Sequence, residues 1–326
     1  GFDLLYGGYL TTKSLAAFGS IEYKIDGHVS LTGGLRRSVD WKQYDYYHFT
    51  NGTEDFVFNT GTYGNLAKRR DGAYSGDIAL NYKPVSDILL YASINRGTKS
   101  GGFATPALPS DPNQFTFGPE TLTSYEVGAK LTFGRNTHLN MSGFHYNYHH
   151  YQSFVILPPS EFISNQNARV DGVELEFNAQ PVSGLHVQLF GAYLHSEVFD
   201  VVLPNGRITN TRMPQAPTFS GGGLAHYDFA LSGGTASLQT DWKYDSYQFF
   251  STFNAPVDRE GDRLVGNVRA SYAVGTTGLE FAVFINNVTN RAYRVYNLDA
   301  SSSFGFAQQT FAPPRWYGGS VTLRFN

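Results

Sequence analysis

Three groups of residues in this chain have types and spacing suited to chemistry. The first is His145, His149 and His150 with Tyr148 and Tyr151, donors of the kind that hold transition metals. Consecutive residues of an extended strand point to opposite faces, so His149 and His150 do not converge on one ion, and no metal site is expected. The second is His195-Ser196, a base beside a hydroxyl. A nucleophile needs its base on the same side and within hydrogen-bond reach, and strand neighbours diverge. His-Glu-x-x-His, Gly-x-Ser-x-Gly and Walker patterns do not occur, and Gly221, Gly222 and Gly223 read as a smooth wall rather than a phosphate cradle. With no cysteine, thiol nucleophiles, disulfides and Cys-type zinc sites are excluded. The third group is aromatic: Tyr44, Tyr46, Tyr47, His48, Phe49, Phe56 and Phe58, and a second cluster at Tyr247, Phe249 and Phe250. Such side chains supply contact area at low entropic cost. The expectation is a binding protein without cofactor and not an enzyme.

The composition points to strands. Aromatics make up 16% of the 326 residues, with 22 Tyr, 26 Phe and 35 Gly. Tyr and Phe favour strands and Gly favours tight turns. Charged residues are only 16%, against about a quarter in soluble domains. A net charge of −3 gives no reason to expect a nucleic-acid partner. No apolar run approaches the ~18 residues of a membrane-spanning helix, so a chain of this kind enters a membrane only as a closed barrel.

Period-two alternation is pervasive. From His28 to Trp41 one face carries Val29, Leu31, Leu35, Val39 and Trp41, and the other Ser30, Thr32, Arg36, Ser38 and Asp40. The same pattern sets Val173, Leu175 and Phe177 against Glu174, Glu176 and Asn178, and Tyr317, Val321, Leu323 and Phe325 against Ser320, Thr322 and Arg324. These runs exceed the ~5–6 residues of soluble strands and match the ~9–11 of transmembrane ones. Apolar faces ending in Tyr, Trp or Phe suit aromatic girdles at the two interfaces. The pattern predicts about thirteen strands, near 15–25, 28–42, 73–83, 88–98, 120–133, 137–151, 167–180, 185–198, 217–229, 235–247, 264–274, 279–288 and 314–325. In 137–151, Phe144, Tyr146 and Tyr148 fall on the face opposite Leu139 and Met141, which a bulge or a tall extracellular part would explain. Arg36, Glu126, Lys130, Glu174, Glu176, Asp241, Lys243 and Arg324 are expected to face the lumen.

Connections alternate between short turns such as Asp26-Gly27 and long loops near 43–72, 99–119, 152–166, 199–216, 248–263 and 289–313. Short periplasmic turns and long extracellular loops are the mark of outer-membrane barrels. Thirteen strands place the two ends of the chain on opposite sides of the membrane, whereas a complete barrel has even strand number and both ends in the periplasm. The expectation is a single domain over residues 1–326 that forms the carboxy-terminal part of a larger barrel in the bacterial outer membrane.

Local sequences sharpen this. The run Tyr91-Ala-Ser-Ile-Asn-Arg-Gly-Thr-Lys-Ser-Gly-Gly-Phe103 resembles a strand-to-loop signature of TonB-dependent receptors, and Pro119-Glu-Thr-Leu-Thr-Ser-Tyr-Glu-Val-Gly-Ala-Lys130 is similar to the strand that follows it in that family. Asn167-Ala-Arg-Val-Asp-Gly-Val-Glu-Leu-Glu176, Phe284-Ile-Asn-Asn-Val-Thr-Asn-Arg-Ala-Tyr293 and the terminal Pro313-Pro-Arg-Trp-Tyr-Gly-Gly318 through Phe325 resemble further family segments, in the family's order. One departure is Asn326, where the family typically ends on an aromatic residue.

The resemblance implies a 22-stranded barrel plugged by an N-terminal domain, with plug, earlier strands and TonB-contacting segment outside this sequence. It implies active uptake of a scarce, bulky nutrient, most often a ferric siderophore, with TonB and the plug as partners and with ligand on the extracellular loops. Haem, cobalamin and glycans use the same scaffold. The loop aromatics Tyr44, Tyr46, Tyr47, Phe49, Tyr247 and Phe249 are then candidate ligand contacts, with loop-to-loop packing or an outer girdle as the alternative. Arg96 and Lys99, with Lys68, Arg69 and Arg70, are candidates to attract an anionic ferric chelate, with lipopolysaccharide phosphates as the alternative partner beside outer-membrane lipid. A passive porin and, less favoured, a barrel enzyme are the competing functions.

Overall fold

The computed structural model describes residues 3–107, 111–157, 160–301 and 305–325; Asn326, the departure at the carboxy terminus, lies outside the described residues. One antiparallel sheet dominates. Its continuous path runs β1 (Leu4–Lys24), β2 (Val29–Thr50), β3 (Lys68–Val85), β4 (Ile88–Lys99), β5 (Glu120–Phe133), β6 (Thr137–Leu157), β7 (Ser160–Ala179), β8 (Leu185–Val202), β9 (Phe219–Leu231), β10 (Gly234–Asp245), β11 (Arg263–Val274), β12 (Leu279–Asn286) and β13 (Trp316–Leu323). Each strand pairs with its sequence neighbour, and the path joins no β1–β13 pair among the described residues. Two short strands, Thr53–Phe58 and Ile208–Thr211, continue hairpins above β2 and β8. Helix among the described residues is limited to single short turns, of which Thr60–Tyr63, capped by Asn59, is the α-helical one.

The register sorts the side chains. Residues directly opposite across a ladder share a face, and one row reads Tyr23, Leu31, Leu80, Ala92, Val127, Gly143, Val173, Tyr193 and Phe219 across β1 to β9. The next contains Val29, Tyr82, Leu90, Ala129, Met141, Leu175, Gly191, Gly221, Tyr244 and Leu264. Toward the short turns, Leu231, Gly234, Val274, Leu279 and Leu323 are aligned on the same face. These side chains are not packed against a second sheet: Leu35 is 63% exposed and Val173 54%. A single sheet with one face of exposed large hydrophobics is the arrangement a bilayer covers. The opposite face carries Arg36, Asp77, Glu126, Lys130, Glu174, Glu176, Asp241, Lys243, Asn267 and Arg269.

β6 keeps its alternation. Phe144 and Tyr146 stand on the polar face and stack on each other at 4.5 Å, so no change of face is needed to explain them. The irregularity lies higher, where the register slips between Gln166 and Ala168 opposite Tyr151 and Tyr148, with His150 at a φ of 57°. His149 and His150 form the bulged pair there. His145 stands apart from them, its Nδ1 2.5 Å from Asp171 Oδ1.

The buried hydrophobic core sits in the long-loop end. Its larger cluster is Tyr44, Tyr46, Phe58, Ala67 and Phe115. A second gathers Ala168, Val198 and Val201 under Tyr148, Tyr151, Leu203, Met213 and Phe253.

Candidate functional site

The first aromatic run divides by parity. Tyr44, Tyr46 and His48 occupy the lumen-side positions of β2, and Tyr47 and Phe49 the other face. Tyr44 and Tyr46 are buried at 4% and 1% exposure beneath the second loop. Tyr46 meets Phe115 edge-on at 4.8 Å and Tyr44 stacks on Phe103 at 5.3 Å. Their hydroxyls are used: Tyr46 donates to Pro106 O at 2.7 Å and Tyr44 pairs with Thr105 Oγ1 at 2.7 Å. Burial pushes both phenols above their ordinary range. His48 bonds Asp55 through Nδ1 and the carbonyl of Ala107 through Nε2, and that contact, with Thr50, holds the Asp55 carboxyl below its usual range. Tyr47 packs edge-on against Phe49 at 6.1 Å and faces Tyr9 of β1.

The structure explains the Lys99-Ser-Gly-Gly-Phe103 segment. Lys42 Nζ donates to Ser100 Oγ and Gly101 O at 2.7 and 2.6 Å. A Cβ on Gly101 would collide with the Arg69 guanidinium, and one on Gly102 would lie 2.7 Å from the Phe117 ring. Both feet of this loop are tied to the β6–β7 hairpin. Gln152 Nε2 donates to Ser100 O and Gly118 O, and Asn165 accepts from Gly118 N at 2.7 Å. Arg96 and Lys99 separate: Arg96 lies on the apolar face, opposite Gly76 and Thr123, whereas Lys99 lies on the lumen side opposite Glu120.

The second aromatic cluster lies in the loop after β10. The guanidiniums of Arg212 and Arg259 sit 4.8 and 4.5 Å from the Tyr247 ring centre, and Tyr247 meets Phe249 edge-on at 6.1 Å. Beside it lies a cavity of about 270 Å³, lined in part by Phe250, Thr252, Phe253, Asp258, Asn297 and Leu298. Asp258, 2% exposed, accepts from Ser251 Oγ and Asn297 Nδ2 at 2.5 Å each. Asn297 Oδ1 is buried with no hydrogen-bond partner among the described residues. An unsatisfied buried acceptor is costly. Nothing in the sequence alone marked Asp258 or Asn297, which stand in separate loops and meet only through the fold. Arg294 closes this region, donating to Glu260 Oε2 and Val257 O at 2.8 Å each.

The Phe284–Tyr293 segment is also explained. Asn287, at a φ of 52°, receives Arg291 N on Oδ1 at 3.0 Å and donates Nδ2 to Arg291 O and Pro313 O. Asn290 Oδ1 accepts from Arg315 N at 3.2 Å. Two asparagines thus hold both feet of the last long loop.

These features agree with comparison to known proteins. A family model for the β-barrel of TonB-dependent receptors matches residues 3–323. The pesticin receptor of Yersinia pestis is 23% identical over 91% of this chain and 42% of its own length. Among solved structures, the ferric yersiniabactin uptake receptor FyuA of Yersinia pestis superposes with a TM-score of 0.82 at 21% identity, covering 99% of this chain and 47% of that one. The siderophore receptor PiuA of Acinetobacter baumannii gives a TM-score of 0.72 at 17% identity, over 96% and 43% of the respective chains. The chain thus spans less than half the length of each of these three relatives. Matched over nearly its whole length, and built as one sheet with a lipid-facing apolar side, the chain belongs to the TonB-dependent receptor β-barrel family, receptors rather than enzymes, of the outer membrane of Gram-negative bacteria.

Proposed function

We propose that this chain is the carboxy-terminal part of the barrel of a receptor that takes up a ferric siderophore or a similar bulky chelate, using energy transmitted by TonB through a plug and TonB-contacting segment that belong to the longer protein. The single observation that carries this reading is the family match over residues 3–323. The printed functions of the most similar proteins, ferric yersiniabactin uptake and siderophore reception, favour an iron chelate as ligand. The ligand surface is assigned to the long loops. Tyr247, Phe249 and Lys99 supply aromatic faces and one cation, Tyr44 and Tyr46 act beneath the loops as the packed support, and Tyr47, Phe49 and Arg96, on the outer face, border the rim of that surface. Charged groups on the lumen face, among them Glu126, Glu174 and Asp241, are assigned to contact with the plug.

The test is uptake of radiolabelled iron by a receptor-deletion strain that carries the full-length gene, supplied with a panel of ferric siderophores, with haem and cobalamin as other substrates. Uptake of one chelate that disappears in a strain without TonB is the expected result. Passage without TonB, with low substrate discrimination, would mean a passive porin instead.

A further inference from the structure

On the membrane-facing side, next to the long loops, two rows of polar residues cross β1, β2 and β3. Lys13, Trp41 and Arg70 are directly opposite one another, and the adjoining row is Thr11, Gln43 and Lys68. Parity places all six on the face of Leu31 and Leu35. With Asn65, and with Lys42 and Arg69 at the intervening positions, they line a groove of about 590 Å³.

Lys13, Lys68 and Arg70 are exposed, and none of them forms an ion pair among the described residues. The contrast with their immediate neighbours is informative. Lys42 and Arg69 occupy the opposite face of the same strands and are both engaged, Lys42 with Ser100 and Gly101 and Arg69 with Asp71 at 2.6 Å. Lys42 and Arg69 thus have polar partners, whereas the side chains of Lys13, Lys68 and Arg70 have neither an ion pair nor a hydrogen bond among the described residues. Arg70 lies 5.7 Å from the Trp41 ring centre, and two rows nearer the membrane centre Arg37 lies 4.6 Å from that of Tyr74. Asp45, one row further out, is the nearby carboxylate on this face.

Position decides what these cations meet. Trp41 stands roughly 40 Å along β2 from Val29 at ~3.4 Å per residue. A strand tilt of about 40° turns that into a height of about 30 Å, just past the ~25 Å apolar band. That is the headgroup level of the outer leaflet. Lys13 and Arg70, two strand spacings apart, stand about 10 Å from each other, a gap that long side chains close around one phosphate.

We propose that this groove binds the phosphorylated headgroup of an outer-leaflet glycolipid, with Lys13, Lys68 and Arg70 on the phosphate and Trp41 against the sugar ring. The site is independent of the uptake ligand, because it lies on the outside of the wall.

The test uses the full-length protein purified in detergent, with native mass spectrometry scoring binding of lipid A that carries its phosphates, of dephosphorylated lipid A and of phosphatidylglycerol. The wild-type protein is expected to retain the phosphorylated form selectively. A Lys13→Ala, Lys68→Ala, Arg70→Ala variant is expected to lose affinity on the order of 100-fold, about fivefold per cation. Lys13→Arg with Lys68→Arg should retain binding, and Arg135→Ala, at a short turn on the far side of the membrane, should leave it unchanged. Heat-modifiable gel mobility and uptake of iron establish that each variant is folded. Undiminished binding by the folded triple-alanine variant overturns the assignment, as does equal binding of the dephosphorylated lipid or of phosphatidylglycerol.

Discussion

The rings of Phe58 and Phe115 stack with centroids 4.4 Å apart and planes 7° from parallel, both sealed from solvent. One comes from the first long loop and the other from the second, so this pair is a weld between loops. Phe115→Ala is expected to cost about 3–5 kcal/mol of loop stability and to leave the barrel intact. Limited proteolysis should cut the second loop in the variant and spare it in the parent, while heat-modifiable mobility is unchanged.

Leu175 and Glu174 are neighbours in β7 on opposite faces. Leu175→Arg places a guanidinium in the apolar band and should cost about 2–4 kcal/mol in bilayer unfolding experiments. Glu174→Arg, on the lumen side, should cost well under half as much. Equal costs for the two would contradict the assignment of faces.

The strands were legible in the sequence wherever one side met lipid. Val173, Leu175 and Phe177 alternate because hydrocarbon and lumen differ so sharply, and β5 runs over the residues its pattern predicts, Glu120–Phe133. The pattern fails above the membrane. β1 begins at Leu4 rather than near residue 15, and β2 extends to Thr50, because both sides of these tall hairpins meet loops or water and no longer demand different residues. Of the candidate site, the aromatic runs were visible, but which of their members lie buried was not. Parity separates Tyr46 from Tyr47, yet only the descent of Phe115 from a loop far away in sequence makes Tyr46 a core residue. Asp258 and Asn297 carried no local signal at all.

Asp55 titrates below the ordinary aspartate range, chiefly through its bond with His48. A depressed folded pKa means that the contribution to stability is complete above the unfolded value of about 3.9 and is lost as pH falls through the lower folded value. Hydrogen exchange in the strand Thr53–Phe58, corrected for intrinsic rates, should therefore accelerate under strong acid. Asp55→Asn should remove that pH dependence.

The Asn287 side chain makes four hydrogen bonds at the base of the last loop, donating to Arg291 O and Pro313 O and accepting from Arg291 N and Thr289 Oγ1. Asn287→Ala should destabilise that base by about 1–3 kcal/mol, read as faster exchange of the Arg291 amide. Asn287→Asp keeps the shape but turns the donating nitrogen into a carboxylate oxygen facing two carbonyls, and should destabilise the base at least as much.

The ligand assignment predicts a graded response. Tyr247→Ala and Phe249→Ala should each weaken binding of the transported chelate by about tenfold, consistent with loss of one aromatic anchor. Tyr46→Phe, which keeps the buried ring and removes only the bond to Pro106, should change affinity by less than about threefold. Fluorescence titration of the full-length receptor measures all three, and a larger effect at Tyr46 than at Tyr247 would place the ligand on the first loop rather than the fifth.

The second loop is anchored at both feet to the β6–β7 hairpin and along its crest to the first loop. Three segments of chain that would otherwise fluctuate separately are fastened into one stiff canopy. A bulky chelate settling against it meets a surface whose disorder was already surrendered on folding, so little conformational entropy remains to be lost when it docks. Any opening of this side of the mouth has to be a concerted swing of the whole canopy, slow compared with the motion of a free loop, and residence time at the mouth would follow the rate of that swing.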